Sequence, residues 1–358
     1  MLGNLDINYH RLMTSSLHRR ILTSLLILLA LVATACGGDS ESSDAVDDTD
    51  SITVYSGRDE ELIQPLIDAF TESTGIDVAV RYADSAELAL LIQTEGDSSP
   101  ADVFISQSPG ALGLLAGEDR LAELPADLLG LVDEGFAASD GTWVGLSGRV
   151  RVVVYNSELV DVSDLPSSVL ELTDSEYEGR VAVAPTNGSF QDFVTAMRSE
   201  LGDDDTLAWL EGLAANGAPN YPKNSAIVEA VGRGEVEMGL VNHYYNLRAL
   251  EADPSVVSVN HFLPAGDVGS LVIVTGGAVL SSSDGAGAAE ELLRFLLSAD
   301  AQGTFAAETQ EYPLLDGVGA PAGLPPLSGY AADTIDYDVL GDGLTGTIEL
   351  IRESGIEQ

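Results

Sequence analysis

Lysine is almost missing from this chain: Lys223 is the only one, and 15 basic residues stand against 58 acidic ones, a formal charge of -43. Such a surface cannot neutralise phosphates, which excludes nucleic acid as a partner. The acidity fits a saline habitat or an acidic proteome and carries no information on fold. Cysteine is as scarce. Cys36 is alone, so the chain forms no internal disulfide. Beyond residue 35 the only histidines are His243 and His261, and there is no Gly-x-Ser-x-Gly, no His-Glu-x-x-His and no cysteine nucleophile in the body. Those absences leave base and nucleophilic catalysis with few candidates, so an enzyme is not expected. The apolar run at 21–32 falls short of the ~20 residues a spanning helix needs, and no internal repeat of fixed period is present.

That apolar run has an address around it. His10, Arg11, His18, Arg19 and Arg20 precede it, and Ala33-Thr34-Ala35-Cys36-Gly37-Gly38 follows. A basic region, an apolar core and small residues form a secretory signal over 1–35. Cys36 directly after the small residues is placed as the lipid-modified cysteine of a bacterial lipoprotein; an unprocessed free thiol is the alternative. Residues 36–50 are mostly Ser, Asp and Glu, as a solvated tether requires. The expected location is therefore the cell envelope, with the body lipid-anchored to the outer face of the cytoplasmic membrane or in the periplasm.

In the roughly 300 residues beyond the tether, short apolar runs alternate with amphipathic ones, enough chain for two domains. Strands are expected at 52–55, 76–82, 102–106, 150–155, 181–184 and 236–241, with extended segments at 271–274 and 278–280. Helices are expected at 60–74, with Gly75 as its stop, and at 86–94, 110–116, 192–201, 206–215, 225–231, 286–297, 301–309 and 335–353. Strands separated by helices of this length imply α/β architecture with parallel sheets. Ligands of such sheets sit beyond the carboxyl ends of strands. Four strand ends carry polar turns: Ser56-Gly57-Arg58-Asp59, Gln107-Ser108, Thr186-Asn187-Gly188-Ser189 and Asn242-His243-Tyr244-Tyr245. Tyr244 and Tyr245 are the chemically distinctive pair. Phenolate oxygen is a hard anionic donor suited to ferric iron, although adjacent tyrosines are also ordinary aromatic packing.

The chain resembles the ferric-ion-binding proteins of bacterial ABC-type iron import, a branch of the periplasmic solute-binding proteins. The pieces that carry the resemblance are Ile-Thr-Val-Tyr-Ser-Gly at 52–57, Ala-Phe-Thr-Glu-Ser-Thr-Gly-Ile at 69–76 and Ser-Pro-Ala-Asp-Val-Phe at 99–104. Then come Trp-Val-Gly-Leu-Ser-Gly-Arg-Val-Arg-Val-Val-Val-Tyr at 143–155, Lys-Asn-Ser at 223–225, Asn-His-Tyr-Tyr at 242–245 and Glu-Tyr-Pro-Leu at 311–314. They occur in family order across most of 51–358. The resemblance implies a fold of the type II periplasmic-binding-protein kind: two α/β lobes joined by hinge strands, closing on a ligand between them. Lobe 1 would combine 51–148 with 275–322, and lobe 2 149–274 with 323–358, the crossings lying at 147–154 and 271–277.

It also implies roles. Tyr244 and Tyr245 fall on the family's iron-binding tyrosines. Asn187, Gly188 and Ser189 fall on the turn that holds a phosphate or carbonate beside the iron, with Asn224 and Asn242 near the same anion. Asp59 stands where many members have histidine, and Gln107 where they have glutamate; both are candidate metal ligands, Asp59 as a hard oxygen donor and Gln107 as a neutral carbonyl. Arg149 and Arg151 either balance phenolate and anion charge or form solvated ion pairs of small worth. His243 is expected to point away from Tyr244 on an extended backbone, and His261 to be structural. The implied partners are ferric iron as cargo, an ABC permease and the membrane surface through the lipid, with the protein a monomer. The rival reading is the same fold carrying a polyamine, thiamine or phosphonate, the first of which needs carboxylates and aromatic walls. Growth with a labelled fatty acid tests the anchor. The label is expected on the parent chain and absent from a Cys36→Ala variant, which should appear in the soluble fraction; an unlabelled parent rules the anchor out.

Overall fold

The computed structural model describes residues 51–327 and 337–358; the signal segment, Cys36 and the tether lie outside the described residues. Local chemistry accounts for most elements. β1 (Ser51–Ser56) leads into α1 (Glu60–Thr74), which buries Leu62, Ile63, Leu66, Ile67 and Phe70 on one stripe and stops where Gly75 turns left-handed, its N–H on Thr71. β2 (Asp77–Tyr82), α2 (Ser85–Glu95), β3 (Val103–Ser106) and α3 (Pro109–Ala116) follow, α3 carrying proline at its first position. After the single turn α4 (Ala126–Leu129) comes β4 (Val144–Asn156), whose 13 residues are all buried. A strand with no polar face is one covered on both sides.

β5 (Val181–Ala182) and the helices α5 (Gly188–Leu201), α6 (Asp203–Ala215) and α7 (Asn224–Gly232) lead to β6 (Met238–Asn242). α8 (His243–Ala252), β7 (Ser258–His261) and β8 (Val272–Val279) come next, then α9 (Ala286–Leu296), α10 (Ala299–Thr304) and α11 (Tyr337–Ser354). α8 and β7 were not expected from sequence. β8 runs unbroken through Gly276-Gly277, where the sequence predicts two extended segments.

The sheet order is β2-β1-β3-β8-β4-β6-β5, with β7 also on β4. The expectation of parallel sheets is corrected: β1 is parallel to β2 and β3, and β5 to β6, but β8 runs antiparallel to β3 and β4, and β4 antiparallel to β6 and β7. Alternating elements need only that each strand be returned by a helix. They do not determine whether a later strand inserts between earlier ones, as β8 does. β4 is the joint. Its first half, Val144–Val150, pairs with β8, and its second, Arg151–Asn156, with β6 and β7. Two α/β halves thus meet at β4 and β8, and a cleft opens between them.

α11 packs on α3 of one half and on α5 and α6 of the other. The α3 contact is backbone to backbone: a Cβ on Gly341 would lie 2.4 Å from Gly113 Cα and 2.5 Å from its carbonyl carbon. No flexible side chain is there to yield. Gly341→Ala is therefore expected to destabilise by about 1–3 kcal/mol through overpacking, outweighing the ~1 kcal/mol that alanine gains in a helix interior. Urea denaturation measures it, and an unchanged or raised midpoint contradicts the close-packed contact.

Candidate functional site

β6 passes into α8 with no loop between them. Asn242 is still extended (φ -86, ψ 144) and caps the helix, and His243, Tyr244 and Tyr245 form its first turn. Helicity decides where these side chains go. Residues on an extended backbone alternate faces, whereas here His243 turns inward, fully buried, its ring edge-on to Tyr244 at 6.2 Å. The expectation that His243 faces away from Tyr244 is corrected for that reason. Its Nδ1 accepts from Val150 N–H at 3.1 Å and its Nε2 donates to Gln310 C=O at 2.9 Å, so the ring is held as one neutral tautomer.

The two phenol rings stack 4.1 Å apart at 30°. Val152, Val154, Ala182, Ile227, Val231 and Val241 form the apolar seat beneath them. Tyr244 is wholly enclosed and its hydroxyl has no partner among the described residues. A buried polar atom left unpaired costs of the order of 1–3 kcal/mol and asks for an explanation. Burial first, then Tyr245, raises its pKa well above the ordinary tyrosine value, while Arg58 pulls the other way. Tyr245 faces the cleft, and its hydroxyl accepts from Gln107 Nε2 at 3.0 Å. That contact joins the two halves across the opening, as does the ion pair of Arg248 with Glu61 at 3.1 Å.

The cleft beside Tyr245 encloses about 660 Å³, walled by Asp59, Glu87, Gln107, Thr186, Asn187 and Lys223 among others. Asp59 caps α1, is exposed, and makes no side-chain cap hydrogen bond. Gln107 reaches Tyr245 with its amide, a position from which it serves the phenol as a hydrogen-bond donor. Among the described residues no three His, Cys, Asp or Glu side chains converge as a metal-binding group. A metal held here would depend on the tyrosines.

The polar turn at 187–189 is a helix start. Asn187 caps α5, its Oδ1 accepting from Ser189 N–H at 3.2 Å and from Ser189 Oγ at 2.6 Å. Asn224, first residue of α7, donates to Ser189 Oγ at 3.2 Å, and its own Oδ1 is unpaired among the described residues. Arg151 donates to Ser189 Oγ at 3.4 Å and to Leu240 C=O at 3.3 Å. Asn242 lies opposite Arg151 in the β4–β6 register, and neither atom of its buried side-chain amide has a partner among the described residues. Gly188 comes close to the other half: a Cβ there would meet Ser108 Oγ at 3.3 Å. Two helix N-termini and a guanidinium thus converge on unsatisfied amides, an arrangement that favours an anion.

The alternative of solvated ion pairs for Arg149 and Arg151 is excluded, since both are fully buried. Positions i and i+2 of a strand share a face, and in β4 both faces are covered. Arg149 donates to Gln107 C=O and approaches Glu311 at 3.8 Å. Arg151 lies over the rings of Phe190 and Phe193 at 5.5 and 5.2 Å, and burial pulls its pKa down to about 9 against Tyr245 and Asp192. Asp192, also buried, is pushed up to about 7 by desolvation. His261 is half-buried and bonds Pro166 C=O at 2.8 Å, in keeping with a structural part. Sequence reasoning missed Arg58, which sits in one of the four polar turns yet is buried beside Tyr244, its Cζ 5.8 Å from the ring centroid.

Residues 98–340 match the family described as bacterial extracellular solute-binding protein. This chain belongs to that family. It is 36% identical over 311 residues to the major ferric iron-binding protein of Neisseria meningitidis, covering 86% of this chain and 93% of the relative. It is 30% identical over 333 residues to the Fe(3+)-binding periplasmic protein of Serratia marcescens, covering 92% and 96%. Among solved structures it is similar to iron-bound HitA from Pseudomonas aeruginosa, with a TM-score of 0.82 and 33% identity over 85% of this chain and 99% of that one. The fold is therefore the type II periplasmic-binding-protein fold, and this solute-binding protein is an exported one.

His243 sets a pH dependence. Burial lowers its pKa from 6.5 to about 4, so the unfolded chain takes up a proton that the folded chain refuses. The contribution is complete above about pH 6.5 and is lost as pH falls towards 4, reaching up to about 3 kcal/mol. Urea unfolding at pH 7 and pH 4.5 is expected to show this loss, and His243→Gln to flatten the slope; an equal slope in the variant assigns the effect to another group.

Proposed function

We propose that this solute-binding protein captures ferric iron between its two lobes through Tyr244 and Tyr245 and delivers it to an ABC permease in the membrane. The single observation that carries the reading is the buried Tyr244 hydroxyl, unpaired and stacked on a second phenol whose oxygen faces the cleft. Iron(III) would satisfy that oxygen with the hard anionic donor set it prefers, and relatives named for ferric iron support the cargo. Asp59 is within the same cleft as a further oxygen donor. Gln107 is better suited to orient Tyr245 through its N–H than to bind the metal.

Phosphate or carbonate would sit at the N-terminus of α5, on the Asn187, Gly188 and Ser189 backbone with Asn224, Asn242 and Arg151 around it. Arg149 and Arg151 supply positive charge behind the phenolates. Lobes of 51–148 with 275–322 and 149–274 with 323–358 would close about β4 and β8, in a lipid-anchored monomer that does no covalent chemistry. A polyamine cargo has one specific feature in its favour, the acidic cleft wall of Asp59, Glu60, Asp84 and Glu87 beside Tyr82 and Tyr245.

Titration of the apo protein with ferric nitrilotriacetate, with and without phosphate or bicarbonate, is expected to develop a phenolate-to-iron charge-transfer band. The double variant Tyr244→Phe/Tyr245→Phe should abolish it. Each phenol must shed a proton to the metal, so affinity should weaken by up to about a hundredfold per pH unit on acidification. A parent protein that stays colourless and binds spermidine would establish the polyamine reading instead.

A further inference from the structure

Glu311, in the stretch 311–314 that the ferric reading leaves without a role, is fully buried. Its Oε2 accepts from Arg58 Nη2 at 2.8 Å, Ser147 Oγ at 3.2 Å and Thr309 Oγ1 at 3.0 Å. Ser147 belongs to β4. Arg58 also donates to Thr275 Oγ1 of β8 at 3.2 Å, so one ion pair is tied to both strands that join the halves. The neighbouring Gln310 carbonyl receives the His243 Nε2–H, fixing the residue just before Tyr244 to the same segment.

Taking an arginine and a glutamate out of water is costly, and such a pair is often no more stabilising than apolar packing. Here the charges do not even cancel. Arg149 Nε stands 3.8 Å from the other Glu311 oxygen, so two buried guanidiniums share one carboxylate. The surplus positive charge lies beside the phenols, with Arg58 5.8 Å from the Tyr244 ring. Asp192, also buried, faces Arg149 and Arg151, which leaves three guanidiniums to two carboxylates. The remaining positive charge gains a counter-charge when the tyrosines present anionic oxygens to a cation.

We propose that Arg58, held by Glu311, is a positioning residue for the tyrosine pair: its fixed charge offsets the anionic oxygens that Tyr244 and Tyr245 bring to bound ferric iron. The inference rests on the ferric reading. Arg58 is at the cleft wall, and its pair with Glu311 holds the guanidinium buried beside the Tyr244 ring, where it does not extend into the opening to repel the incoming ion.

The test uses the full chain and its variants Arg58→Gln, Arg58→Lys and Glu311→Gln, each checked by circular dichroism and thermal melting, then titrated with ferric iron against nitrilotriacetate. Arg58→Gln is expected to lose about tenfold or more in ferric affinity and to move the charge-transfer band to longer wavelength, since a phenolate without its neighbouring cation is a better electron donor. Arg58→Lys should restore most of the affinity and the band position. Glu311→Gln, which keeps the cation, should weaken binding less than Arg58→Gln. A folded Arg58→Gln with parental affinity and band overturns the proposal, as does an Arg58→Lys as weak as Arg58→Gln. If Arg58→Gln does not fold, a folded Arg58→Lys that loses the band decides against it. A parent that develops no band sinks the ferric reading itself, whereas a coloured parent with indifferent variants sinks this inference alone.

Discussion

Compensation of buried charge at the strand crossing is the constraint on which the rest of this molecule depends. Arg58, Arg149 and Arg151 are removed from solvent there, together with Glu311 and Asp192. Charge of that kind in a protein interior must be paired or must await a partner. Glu311 answers for Arg58 and in part for Arg149. Several donors and acceptors around them stay unanswered, among them Arg149 Nη1, Arg151 Nε, Asn224 Oδ1, the Asn242 amide and Tyr244 Oη. All of these atoms are buried, and under the proposed reading the bound solute would complete them.

The fold makes this concentration possible at low cost elsewhere. Because β4 is covered on both faces and pairs with β8 along one half and β6 along the other, its arginines occupy a place that residues from both halves can reach. The hydrogen bonds that hold the site there are correspondingly long-range. Arg58 and Glu311 are 253 residues apart in sequence, and Gln107 and Tyr245 138 apart. The same joint carries the segment that fixes His243. Movement of one half against the other therefore cannot leave the tyrosine pair undisturbed.

Much of the architecture was legible before any coordinates. The stop of α1 at Gly75, the amphipathic stripe of that helix and the buried strands around β1, β3 and β6 all follow from periodicity and local capping. The tyrosine pair was conspicuous through its position after an apolar run. What escaped was equally specific. α8 escaped although the stretch 247–252 is rich in helix formers, because its first turn, His243-Tyr244-Tyr245, follows β6 without a loop or start signal and is held by tertiary contacts of His243. Arg58 looked like a turn residue in a polar tetrapeptide, since nothing nearby reveals a carboxylate waiting at Glu311. Arg149 and Arg151 looked like solvated charges in an acidic chain, because their burial depends on what covers β4.

The sequence by itself determined the class of the protein and the order of nearly all its elements, since these rest on short-range patterns: residue spacing and glycine and proline geometry. Only the tertiary structure decided that the sheet is mixed, that His243 turns inward, and that three arginines lie buried behind two phenols. Those outcomes depend on pairings between distant segments, where solvent exclusion and the need to neutralise charge are properties of the assembled interior and of no local stretch of chain.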